Sequence, residues 1–286
     1  MLADIEEHPH TSKVRIPRIT AVPELRVVAA APNNQGNIEM ERVSDYNVYG
    51  SLLGLGENIL LEILSEMEIP QDVQQFLVLC RKTYKLLIHP RYARIIQSII
   101  EIRPIFIIKE QKQGRSDQNK FIHSDNDDFC TIAMNPVIRE GIVKIEVIFE
   151  NTDGWSRMIG IADASCSFAA GKGPWEDGNR QKTVRYYLGG YIRHITDDAI
   201  RNQEYSDGQI IGIEVDMTTV PRKVTFFVDE VEQPNFVIGI PEAVRFWAYT
   251  FHKSSSFTVI KFERLIKSTS QGVYGSKGLQ WGKEWK

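Results

Sequence analysis

The sequence predicts a mainly β chain: an antiparallel β-sandwich over residues 103–267, preceded by a small three-helix segment over 48–102. Three observations predict it. Apolar side chains recur at every second position from the region after Pro104 onward. They recur at helical spacing between Leu55 and Ile100. Gly, Asn, Asp and Pro separate the alternating stretches, and no long helical period interrupts them, which disfavours a βαβ enzyme fold.

Residues 1–47 show no clear periodicity and carry Pro9, Pro17, Pro23 and Pro32, then Asn33-Asn34-Gln35-Gly36-Asn37. The apolar piece Leu25 to Ala31 lies between prolines and cannot build a core alone. This arm reads as a disordered leader with one docking strand. Leu55, Ile59, Leu60, Ile63, Leu64 and Met67 then form one helical stripe, which Pro70 stops. A second stripe is Val73, Phe76, Leu77, Cys80, Tyr84 and Leu87, ended by His89-Pro90. Ile95, Ile96, Ile99 and Ile100 make a third. Three short helices are few for an independent core, so the unit is expected to pack on a neighbour or a partner.

Val143, Ile145, Val147 and Phe149 alternate with Lys144, Glu146 and Glu150, and Asn151-Thr152-Asp153-Gly154 makes a turn. Ile211, Ile213 and Val215 alternate with Gly212, Glu214 and Asp216. Val224, Phe226 and Val228 alternate with Lys223, Thr225 and Phe227. Trp247, Tyr249 and Phe251 share one strand face, and Thr258, Ile260 and Phe262 share another. The tail, 268–286, holds Tyr274, Trp281 and Trp285; it is either loose or docks its aromatics on the domain.

The chain has 286 residues, 42% hydrophobic and 25% charged, with a net charge of −3. There is no basic excess of the kind that binding to phosphate backbones requires, so no nucleic-acid partner is expected. Cys80, Cys130 and Cys166 are an odd, widely spaced set, neither a disulfide framework nor a zinc pair. No Asn-x-Ser/Thr acceptor occurs, and both features fit a reducing compartment, the cytoplasm with the nucleus as the alternative. The acidic start, Met1 to Glu7, lacks a signal-peptide core, and Gln97, Glu101, Arg103 and Pro104 break the most apolar stretch, Ile95 to Ile108. No membrane partner is expected.

Catalytic spacing is missing as well. Gly171-Lys172-Gly173 lacks P-loop spacing, Gly54-Leu55-Gly56 lacks a third glycine, and Gly275-Ser276-Lys277-Gly278 only approaches a nucleophile elbow. His8, His10, His89, His123, His194 and His252 form no i, i+4 pair for zinc. Asp125, Asp127 and Asp128 lack the glycine and distal glutamate of a calcium loop. The expectation is a protein that is not an enzyme and uses neither cofactor nor metal.

The second half resembles the SPRY domain. Gly141 to Val147 looks like that family's first core strand, Ile159-Gly160-Ile161-Ala162 its "VGVA" strand, and Tyr205 to Asp216 its "GD-x-IGV-x-x-D" segment. Val224 to Val228 and Phe257 to Phe262 resemble its "I-x-F-F-x-N-G" and closing strands. Two departures stand out: the Gly-Asp is inverted as Asp207-Gly208, and Asn-Gly is replaced by Asp229-Glu230. Asp-Glu does not suit a tight type I′ turn, so a longer hairpin loop is expected there. The resemblance implies a concanavalin-like jelly roll that binds a protein or peptide through its loops. The helical segment resembles an F-box, through Leu55 to Leu64, Asp72, Phe76, Val78 to Tyr84 and His89 to Tyr92, with Gly56 in place of the usual proline.

Trp, Tyr and Arg dominate interface hot spots. Trp155, Arg157, Trp175, Tyr187, Tyr191, Arg193 and His194 are therefore candidate contacts on the sandwich loops, with Trp247 and Tyr249 on a strand face that is either a binding floor or core. On the helices, Leu55, Leu60, Leu64 and Val78 are candidate contacts, or else the segment's own core. The F-box likeness implies a second partner, a cullin-ligase adaptor, and so a substrate-recognition subunit of a ubiquitin ligase. The alternatives are an interaction scaffold without ubiquitin chemistry and a lectin-like carbohydrate binder.

Overall fold

Alternation after Pro104 builds two stacked sheets. The computed structural model describes residues 52–154, 156–197 and 200–285; the leader 1–47 and Trp155 lie outside them. Four helices come first: α1 (Glu57–Ser65), α2 (Pro70–Leu77), α3 (Arg81–Tyr84) and α4 (Tyr92–Ile100). The strands follow as β1 (Ile105–Ile107), β2 (Gly114–Asp117), β3 (Lys120–His123), β4 (Cys130–Asn135), β5 (Ile142–Glu150) and β6 (Met158–Asp163). Next are β7 (Thr183–Tyr187), β8 (Tyr191–Arg193), β9 (Ile200–Arg201), β10 (Ile210–Asp216) and β11 (Lys223–Val228). The last are β12 (Val231–Glu232), β13 (Asn235–Ile238), β14 (Val244–Thr250), β15 (Ser256–Leu265) and β16 (Lys277–Gln280).

One sheet runs β1-β4-β14-β6-β7-β8-β9. The other runs β16-β13-β11-β10-β5-β15-β3-β2, with β12 paired to β11. Each named pair is antiparallel except β13 with β16. Between the sheets lies one core, with Val143, Ile145, Val147 and Phe149 of β5 facing Ile159, Ile161, Val184, Tyr186, Phe246 and Ala248 of the first sheet. Burying such side chains contributes roughly 1.5–3 kcal/mol each.

The helices form a second cluster built from Leu60, Leu61, Leu64, Val73, Phe76, Leu77, Leu86, Ile95 and Ile99. The second predicted stripe is not one helix but two. Cys80 is extended (φ −160°, ψ 171°), and Thr83 caps the restart by accepting the Cys80 N–H and donating to the Leu77 carbonyl. Side-chain satisfaction of these backbone groups makes the break favourable. The helical layer is tied to the sandwich through β15. The Ile102 N–H donates to the Phe262 carbonyl at 2.8 Å, Arg264 Nη1 to the Ile99 carbonyl at 3.2 Å, and Gln71 Nε2 to the Leu265 carbonyl at 2.8 Å.

Two local expectations need correction, and one outward face is covered. The hairpin at Asp229-Glu230 has no longer loop: Val228 pairs with Val231, and both loop residues have positive φ (48° and 66°), the type I′ pattern. Asp229 compensates for the missing Asn-Gly by accepting hydrogen bonds from Gln209 Nε2 (2.6 Å) and the Ile210 N–H (2.9 Å). On β15 a bulge between Val259 and Lys261 separates Thr258 and Ile260 from Phe262. Phe257, Val259 and Phe262 face inward while Ile260 is exposed, and Asn119 pins the bulge through both backbone groups of Val259. Finally, Lys144, Glu146, Glu214 and Asp216 point away from the core as alternation demands, yet all four are buried. Lys144 pairs with Glu146 at 2.9 Å, and residues 266–272 cross this outer face: Ser268 and Thr269 donate to Glu214, and Ser270 to Glu232.

Candidate protein-binding face

The outer face of the first sheet gathers most of the predicted sandwich contacts. Register places Thr131, Tyr249, Met158 and Tyr187 in one row across β4, β14, β6 and β7. Ala133, Trp247, Gly160, Arg185 and Arg193 form the next row, extended to β8. A Cβ at residue 160 would lie 2.8 Å from the Trp247 ring and would also clash with the Val184 carbonyl, so only glycine leaves room for that indole.

The segment 164–182 folds over part of this face. Phe168 covers Trp247 (ring centroids 6.0 Å apart), and the Lys172 carbonyl accepts from Thr131 Oγ1 at 2.9 Å. Trp175 packs on Tyr249 (5.9 Å) and edge-on against Phe129 (5.8 Å). Trp247 and Tyr249 are therefore fully covered, whereas Trp175 is half-buried and Phe129 reaches solvent. Of the adjacent tyrosines, Tyr186 enters the core and Tyr187 lies on this outer face.

Beside that covered zone is an open one. Tyr191 is exposed, and the Arg193 guanidinium lies over Tyr187 at 4.7 Å and Tyr191 at 5.9 Å, while Arg201 of β9 lies over Tyr191 at 5.6 Å. Arg201 and Phe129 are parts of this face that sequence reasoning missed. Arg201 becomes visible only through the β8–β9 pairing that sets it opposite Tyr191. Among the described residues no carboxylate lies within ion-pair distance of Arg193 or Arg185, and Arg193 Nε has no hydrogen-bond partner. Arg185 is wholly buried, and that burial holds its pKa below the usual guanidinium range. The arrangement is an aromatic shelf carrying surplus positive charge, suited to a carboxylate-bearing ligand with apolar neighbours.

Two predicted contacts have other work. Arg157 is buried behind this face, donating to Thr152 Oγ1 (2.6 Å) and the Tyr205 carbonyl (2.7 Å) and pairing with Asp207 (3.1 Å). His194 is buried too. Its Nδ1 bonds the Thr183 carbonyl (2.8 Å), its Nε2 accepts the Gly282 N–H (2.9 Å), and its ring packs against Trp281 (4.6 Å) and Trp285 (5.2 Å). The tail aromatics therefore dock on the domain. Burial pushes the His194 pKa down to about 4, with Arg185 adding to the effect. The native fold thus holds the imidazole neutral, and the unfolded chain takes up the proton first. Stability from this group is complete above pH ~6.5 and is lost as pH falls toward 4, by about 3 kcal/mol in all. The midpoint of thermal unfolding should fall steeply over that window in the native chain and only shallowly in His194→Asn. Equal slopes would refute the assignment.

On the helices, Leu60 and Leu64 are fully buried and Leu55 is half-buried against the cluster; they are its core. Val78 is exposed, together with Leu79, Tyr84, Ile88 and Ile59. Among the described residues no helix is long and apolar enough to cross a membrane.

No protein-family model and no curated protein matches the chain. Among solved structures, the SPRY domain of human HERC1 is similar with a TM-score of 0.40 and 8% identity, over 58% of this chain and 97% of that one. The TRIM65 PSpry domain is similar with a TM-score of 0.42 and 10% identity, over 59% and 94%. Stonustoxin gives a TM-score of 0.42 and 10% identity, over 58% of this chain and 28% of its own.

Proposed function

We propose that this chain is a non-catalytic protein-interaction module that captures an acidic peptide or protein segment on the open part of the first sheet. The observation that carries this reading is the Tyr187–Arg193–Tyr191–Arg201 ladder, a partly exposed cation–π stack in which, among the described residues, no carboxylate pairs with Arg193 and Arg201 reaches Glu204 at 3.6 Å. Arg and Tyr in this setting bind with little loss of rotamer freedom, because stacking already orders them. The resemblance to the SPRY domain, carried by the motifs from Gly141 to Phe262, supports the same reading. Affinity capture should recover a target with the native chain and lose it, by tenfold or more, with the Tyr191→Ala, Arg193→Ala pair. Circular dichroism should stay unchanged. Undiminished capture by that variant would overturn the proposal.

A second reading adds a ubiquitin-ligase adaptor on the helices. The exposed apolar set Val78, Leu79, Tyr84 and Ile88 favours it, because these side chains remain free after the segment has built its own core. Adaptor and cullin should co-purify with the native chain and be lost with Val78→Asp, Ile88→Asp. Absence of both from the native chain would leave an interaction scaffold without a ubiquitin link.

A further inference from the structure

Residues 277–285 are held the way a bound peptide is held. The segment joins the β13 edge as a parallel strand, pairing Asn235–Ile238 with Lys277–Gln280. The Lys277 N–H donates to the Pro234 carbonyl and the Trp281 N–H to the Ile238 carbonyl, both at 2.9 Å. Leu279 is buried in the sandwich core, and Trp285 reaches the same core, donating its indole N–H to the Gln280 carbonyl at 2.8 Å. Trp281 and Trp285 pack against the His194 ring, which also accepts the Gly282 N–H. Gly278 lets the strand lie close to β13, since a Cβ there would sit 3.2 Å from the Phe236 ring.

The connection is of a different kind. Residues 266–272 cross the outer face of the second sheet, held there chiefly by hydrogen bonds to Glu214 and Glu232, and 273–276 lead on to β16. Gly272 and Gly275 both have φ near 76°, and Tyr274 is fully exposed. Apolar anchoring is therefore concentrated at Leu279, Trp281 and Trp285, beyond a polar strap with glycine turns.

We propose that the groove between the β13 edge and His194 is a peptide-binding site for extended segments of the form Leu-x-Trp-x-x-x-Trp, with residues 277–285 as its exchangeable resident ligand. Strand addition supplies affinity through backbone hydrogen bonds, and pockets for selected side chains supply specificity. The strap holds the resident segment at an effective concentration in the millimolar range, so a partner segment enters only when the strap is loosened or severed.

The test uses the full chain with a protease recognition sequence inserted between Gly272 and Gly275, cleaved after folding. A fluorescent peptide of residues 276–286 should enter the cleaved protein with saturable anisotropy and displace the unlabelled fragment. It should enter the intact chain at least tenfold more weakly. A peptide carrying Trp281→Ala and Trp285→Ala should lose at least tenfold in affinity for the cleaved protein. Entry into the cleaved protein no better than into the intact chain would overturn the proposal, as would loss of the folded domain on cleavage. If the insertion itself prevents folding, hydrogen exchange on the unaltered chain decides. The amides of Trp281 and Gly282 should exchange by local release well before those of β10 and β11. Exchange at the same rate as those core strands would refute an exchangeable segment.

Discussion

Leu64→Asp is expected to dissolve the helical layer rather than to detach a partner from it. Leu64 is fully buried among Leu60, Leu61, Val73, Phe76, Leu77, Leu86, Ile95 and Ile99. Truncating such a leucine to alanine costs about 2–5 kcal/mol. A carboxylate in the same place adds the cost of an unpaired polar group in an apolar site. The few hydrogen bonds to β15 are too small to offset that loss, and helical protection over 57–100 should vanish in hydrogen exchange. The β10 and β11 amides should stay protected, because their core is separate. Val78→Asp, at 66% exposure, should leave both layers intact. Retained helical protection in Leu64→Asp would show that this cluster is not the layer's core. The pair also sets how any adaptor experiment must be designed: substitutions at Leu60 or Leu64 confound binding with unfolding, and those at Val78 or Ile88 do not.

Arg157→Ala is expected to lower stability by about 3 kcal/mol, because it removes charge-assisted hydrogen bonds made by a buried guanidinium and leaves a buried acceptor unpaired. Arg157 is 3% exposed and ties two segments to its own: Thr152 after β5, and Tyr205 with Asp207 before β10. Asp207 in turn accepts from the Thr152 N–H and Oγ1, both at 2.8 Å. Removing the cation leaves the Tyr205 carbonyl without this donor in a buried site. Arg157→Lys should rescue little, since an ammonium cannot reproduce the planar fork that spans Thr152 and Tyr205. Chemical denaturation measures the difference directly; a loss below about 1 kcal/mol would show that the network relaxes without its hub. The inverted Asp207-Gly208 pair makes physical sense in these terms. Gly208 takes the positive φ (82°), and Asp207 is placed to hold Arg157.

The sheets were legible because period-two alternation is enforced by burial. β5, β10, β11 and β14 all fall where apolar residues alternate, and Phe246 and Ala248 go inward while Trp247 and Tyr249 go outward. What alternation cannot show is whether an outward face meets water. Lys144, Glu146 and Glu214 alternate as solvent residues do, yet all three are buried: Ser268 and Thr269 bond Glu214, while Lys144 pairs with Glu146 and lies over the Phe227 ring. Trp247 and Tyr249 are sealed likewise, under Phe168 and Trp175. The bulge on β15 depends on Asn119, about 140 residues away in sequence, and the tight turn at Asp229 depends on Gln209. Such tertiary compensation leaves no local trace. Of the candidate face, Tyr187, Tyr191 and Arg193 were readable from residue type alone. Arg201 required strand register, and the buried roles of Arg157 and His194 required knowledge of what packs over them.

The seam along β15 sets a geometric constraint. Gln71, Ile102 and Arg264 bind the helices directly to the sandwich backbone, with no flexible linker between them. Two ligands, one on Val78–Ile88 and one on Tyr187–Arg201, would be presented at a fixed spacing and angle. A hinge of glycine and serine would sample many separations; here the chain behaves as a bracket. Any machinery that must reach from one passenger to the other has to supply the remaining reach and motion from its own parts.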